Sequence, residues 1–183
     1  MKHLFLLLGL APLALPQSAR QLEEVARVAT VMMDGDVAKR IVTERAMKNI
    51  LKEDPRDRFL ASDNYDVNHE PFIQTKKTLI RLSRLVDFPC DVNLWMPIPT
   101  DPPRIHIVIR NANELSQFWT WGALHQEMFP PMQEVLATGK RVAVTDKPGW
   151  ISVLAPVYDS LGDVVGLVEV ASRAAPDPRE NVK

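Results

Sequence analysis

The spacing of apolar residues changes once along this chain, near residue 88, and that change narrows the folds open to it. Before it they recur every three or four residues, and after Cys90 they alternate. Leu22, Val25, Ala29 and Met32, followed by Val37, Ile41, Ala46, Met47, Ile50 and Leu51, predict one long helix or two over 21–53. Asp34-Gly35-Asp36 interrupts them: glycine disfavours a helix interior by about 1 kcal/mol relative to alanine, so a break with Asp36 as N-cap is expected. Residues 54–70 are polar and read as a surface loop, and a second amphipathic helix is expected over 71–87 with a solvated basic stripe. Strands are expected over 90–96, 104–110, 140–145, 150–158 and 163–171, with a helical insert over 125–138. The class is α+β with an antiparallel sheet of five strands.

The turns at Asp146-Lys147-Pro148-Gly149 and Asp159-Ser160-Leu161-Gly162 set a trial register. Opposing Tyr158 to Asp163 pairs Val157 with Val164, Ala155 with Gly166, Val153 with Val168 and Ile151 with Val170. Opposing Thr145 to Trp150 adds Val142 and Val144 to the same face. That face is apolar throughout and suits a covering N-terminal helix. The opposite face carries Trp150, Ser152, Leu154, Tyr158, Arg141, Val165, Leu167 and Glu169. By the same alternation the first two strands place Val92, Leu94, Met96, Ile105, Ile107 and Ile109 on one side, and Asn93, Trp95, His106, Val108 and Arg110 on the other. Aromatic and hydrogen-bonding groups thus share a face, which an insert bearing Phe118, Trp119, Trp121, His125, Met128 and Phe129 can cover.

Composition excludes several function classes. With 22 basic and 23 acidic residues there is no general attraction to nucleic acid or anionic lipid. Seven glycines form no phosphate-binding loop, and the single cysteine, Cys90, excludes an internal disulfide and covalent haem attachment. No GxSxG elbow is present, and no second metal ligand stands at fixed spacing from His106 or His125. The apolar run Leu4 to Leu15 behind Lys2 and His3 reads as a secretory leader over 1–19, too short for the roughly 20 helical residues that cross a bilayer. A single domain over 20–173 and a polar tail over 174–183 complete the expected organisation.

The stretch Leu154-Ala155-Pro156-Val157-Tyr158-Asp159-Ser160-Leu161-Gly162-Asp163-Val164-Val165-Gly166-Leu167-Val168-Glu169-Val170 resembles the closing hairpin of Cache domains, the extracytoplasmic PAS-like sensor modules of bacteria. Met132-Gln133-Glu134-Val135-Leu136-Ala137-Thr138-Gly139-Lys140 is similar to the helix and turn that enter the third strand of that fold. The resemblance covers about 20–173 and is strongest over 132–171. It implies a five-stranded antiparallel PAS-like sheet, a long N-terminal helix on one face, and a small-molecule pocket on the other. A homodimer through that helix follows from family analogy alone. Members usually continue into a membrane helix and an output domain, whereas here a polar tail follows. The tyrosine-arginine-tryptophan pattern of amino-acid-binding members is missing, so the family supplies no ligand class.

The resulting expectation is an exported, non-enzymatic, small-molecule-binding sensory module, periplasmic or secreted, without metal or cofactor. Arg110, with Arg141 and His106, would anchor an anionic group, while Trp95, Trp150 and Tyr158 contact its body and Trp119 and Trp121 cover it. A guanidinium suits a carboxylate because its fork donates two parallel hydrogen bonds. Two alternatives stand beside it: a ligand-free module acting on a membrane-bound signalling partner, and a haem or redox protein using His106 or His125.

Overall fold

The computed structural model describes residues 17–51, 65–120 and 122–173. Residues 1–16 of the expected leader, residues 52–64 of the expected loop, Trp121 and the expected tail over 174–183 lie outside the described residues. Helix α1 (Gln17–Met32) buries Ala19, Leu22, Val25, Ala26 and Ala29 along one stripe, and its three alanines let the helix axis approach the sheet closely. Helix α2 (Gly35–Ile41) begins at a sharp break. Its cap is Asp34, whose carboxylate accepts from the Val37 N–H at 3.0 Å; Asp36, the expected cap, lies in the first turn and accepts from Ser160 N–H at 2.9 Å. At Gly35 a Cβ would stand 2.4 Å from the Tyr158 carbonyl oxygen, so the chain can cross the sheet end only without a side chain there. Thr43 caps a third helix, α3 (Glu44–Ile50). The N-terminal region is therefore three helices, not one or two. Helix α4 (Glu70–Ser83) has Pro71 in its first turn and buries Thr75, Leu79 and Leu82.

Six antiparallel strands follow, not five: β1 (Asp91–Ile98), β2 (Arg104–Ile109), β3 (Gln126–Glu127), β4 (Val142–Val144), β5 (Trp150–Tyr158) and β6 (Val164–Arg173), in the order β3-β2-β1-β6-β5-β4. The extra strand lies where a helix was expected. Pro130 and Pro131 explain it: they fit the first turn of helix α5 (Pro130–Thr138) but push the preceding residues into extended backbone, leaving Gln126 and Glu127 to pair with β2. Helix α5 ends at Gly139, whose φ of 65° is left-handed and whose N–H reaches Val135 O at 2.9 Å.

The register differs from the trial in three places. In β5 and β6, Val157 opposes Gly166 and Val153 opposes Val170, two residues away from the expected pairing, so from Gly166 onward side chains keep their faces; a bulge at Val165 pairs Tyr158 with Val164 and turns Val165 to the helix side. The β4 shift is one residue. Val142 opposes Leu154 and Val144 opposes Ser152, which carries both valines to the side opposite α1. Third, a bulge between β1 and β2 leaves Val108 as an extra residue, because Leu94 pairs with Ile109 and Trp95 with Ile107. Beyond the bulge the parity of β2 inverts: Ile105 and Ile107 join the face of Trp95, while His106 lies opposite Met96 on the helix side.

Two hydrophobic cores thus share one sheet. The larger packs Val92, Leu94, Ile151, Val153, Ala155, Val168 and Val170 under α1, α2 and α4. The smaller packs Trp95, Ile105, Val144, Leu154 and Leu167 under α5 and the segment before β3, through Phe118, Met132 and Val135.

Candidate functional site

A row of polar side chains crosses β1 and β6 on the smaller core's side. Asn93 and Glu169 are direct partners across the two strands, and Asp91 lies two residues along. All three are buried and all three hold the segment from Asn111 to Trp119. Asp91 accepts from the backbone N–H of Asn113 and Leu115 and from the Asn113 amide, at 3.3, 2.7 and 2.8 Å. Asn93 donates to Leu115 O at 2.7 Å and accepts from Asn111 N–H at 3.0 Å. Glu169 accepts from the Trp95 indole N–H at 3.1 Å, from the hydroxyls of Ser116 and Ser152 at 2.6 and 2.9 Å, and from Gln117 N–H at 3.2 Å. Burial pushes the Glu169 carboxyl above its ordinary range, and these hydrogen bonds pull against that. Ser116 Oγ in turn accepts from the Phe118 and Trp119 N–H groups at 3.1 and 3.0 Å, setting both aromatic side chains.

That clamp positions one exposed cation. The Arg110 guanidinium lies 3.8 Å from the centre of the Trp119 ring, and its only ion pair among the described residues is a 3.5 Å contact with the largely exposed Glu114. Its side chain is 33% exposed, so the donor edge remains open to solvent while the ring fixes the plane. Trp119 packs on the smaller core beneath. On the helix side the Lys76 ammonium donates to Arg110 O, and burial followed by the Arg110 charge lowers the Lys76 pKa, with Asp91 opposing.

The other expected ligand groups are dispersed. Trp95 is fully buried and bonded to Glu169, so it is core rather than lining. His106 is on the helix side because of the bulge; its Nδ1 shares a hydrogen bond with Tyr65 Oη at 2.6 Å, and burial followed by the His125 charge brings its pKa down to about 3. His125 Nδ1 accepts from Arg104 Nε at 2.5 Å. Trp150 and Tyr158 are the two ends of β5, eight residues or roughly 26 Å apart. Arg173 and Lys147 lie 3.7 and 5.2 Å from the Trp150 ring, whereas Tyr158 donates to Gly139 O at 2.9 Å. Arg141 lines a separate cleft with Glu23, Glu24 and Arg27 of α1, on the helix side of β4. Trp121 lies outside the described residues. Of the eight expected residues, Arg110 and Trp119 are brought together.

Sequence reasoning missed Ser116, Glu114 and the clamp role of Asp91. One signal was present: Glu169 stands between Val168 and Val170 in an apolar strand, and a carboxylate there requires donors from a covering segment. Among the described residues no cluster of three His, Cys, Asp or Glu is placed to hold a metal, and no helix is long and apolar enough to cross a membrane. No family model and no curated protein matches the chain.

Proposed function

We propose that this protein is an exported, non-enzymatic binding module of PAS-like sensory type, and that Arg110 on the Trp119 ring receives the carboxylate of a small ligand. The observation that carries the proposal is the stacked, one-third exposed guanidinium, held over a ring that the sheet itself clamps. A guanidinium whose plane is already set loses less conformational freedom on meeting a carboxylate than a free one does. The antiparallel sheet with α1 on one face accords with the resemblance to Cache domains. The expected pocket is reduced to this shelf, since Trp95, Phe118, Leu154 and Leu167 fill the rest of that face.

A thermal-shift screen of small carboxylic acids tests it. An acid at 100 times its dissociation constant adds about 2.7 kcal/mol of stability. That gain should disappear in Arg110→Ala. A gain that survives the substitution, or no gain with any acid, overturns the assignment. The filled second face favours one other reading, a ligand-free module that presents its surface to a membrane-bound partner. Failure of the whole acid screen would support that reading.

A further inference from the structure

Behind the Arg110 shelf, on the helix side, a second cleft of about 350 Å³ lies between the last turn of α4, the residues that lead into β1, and the loop after β2. Its size is in the range of small-molecule sites. Ile80, Phe88 and Pro89 supply apolar lining, and Arg84 and Asn111 line it as well. Arg84 is exposed and has no acidic partner among the described residues. Asn111 is 5% exposed, and its Nδ2 is a buried donor with no acceptor. An orphaned amide of this kind is destabilising, and an acceptor reaching it after a turn about χ2 would remove that penalty. We propose that this cleft is a binding site for a compact organic acid, its carboxylate on Arg84, its body on Phe88 and Ile80, and one oxygen directed to the Asn111 amide.

Two negative features lie near the cleft, and neither outweighs the arginine. The Asp91 carboxylate is buried and already engaged by Asn113 and Leu115. The terminal carbonyls of α4 are also occupied: Arg84 N–H bonds Arg81 O, Leu85 N–H bonds Leu82 O, and the Ser83 hydroxyl bonds Ile80 O. What remains of the helix dipole is weaker than a charge-assisted guanidinium–carboxylate bond.

The test is a titration of the ¹⁵N-labelled protein with benzoate, and with benzamide as its uncharged counterpart. Benzoate should shift the Asn111 side-chain amide and the backbone amides of 111–113, and benzamide should bind at least tenfold more weakly. Because Arg84 is exposed, Arg84→Gln leaves the fold intact, and it should weaken benzoate roughly tenfold or more. Arg110→Ala should leave these shifts unchanged, which separates this site from the shelf. Absent shifts, equal binding of benzamide, unchanged affinity in Arg84→Gln, or loss of the shifts in Arg110→Ala would each overturn the proposal.

Discussion

At the scale of single residues, burial shifts Glu169 and His106 in opposite senses. Glu169 is held by donors, with no cation against it among the described residues, and replacing it by an apolar side chain would strand the Trp95 and Gln117 N–H groups that point at it. His106 is the reverse case, a base kept neutral. Its pKa falls to about 3 in the folded chain against an ordinary value near 6.5, so between those limits the unfolded chain binds the extra proton. Stability contributed by this group is therefore complete above pH 6.5 and is lost as pH falls toward 3. Chemical-denaturation midpoints measured from pH 7 to 4 should show a slope approaching about 1.4 kcal/mol per pH unit, and His106→Gln should flatten it. An unchanged slope would assign the acid sensitivity to groups other than His106. Hydrogen bonds from Ser160 and Lys39 bring the Asp36 pKa down to about 2, so its share is lost only at lower pH.

At the scale of elements, close approach and parity decide what could be foreseen. The faces of β5, and of β6 from Gly166 onward, were legible because their register differs from the trial by two residues, and an even shift leaves alternate side chains where they were. The faces of β2 and β4 were not. One extra residue at Val108 inverts His106, and one extra residue's worth of turn before Trp150 inverts Val142 and Val144, with no residue type marking either place. The Arg110–Trp119 pair was half legible: both residues stood out, but their contact depends on Ser116, whose role exists only once Glu169 is buried opposite it. Gly35 is the element-scale residue to test. Gly35→Ala should lower stability by about 2 kcal/mol or more, because the Tyr158 carbonyl is backbone and cannot yield. Gly149→Ala, which meets nothing within 4 Å but has φ of 75°, should cost about 1 kcal/mol, its strain being conformational only. Equal thermal shifts for the two would refute the clash.

At the scale of the whole molecule, two cores lean on one sheet, and this sets how it comes apart. Leu22→Ala in the larger core and Met132→Ala in the smaller should each cost about 2 to 5 kcal/mol, and each should move a single unfolding transition followed by Trp fluorescence and by far-ultraviolet circular dichroism. Two separated transitions would mean that the cores are independent. Single-transition behaviour follows from β1, whose odd residues Asp91, Asn93 and Trp95 belong to one side and whose even residues Val92, Leu94 and Met96 belong to the other. A strand shared in this way acts as a lever. A tug on the rim segment draws on Asp91 and Asn93, and their neighbours in the chain press on α4 behind them. Displacement of that one bar is felt on both sides of the sheet at once.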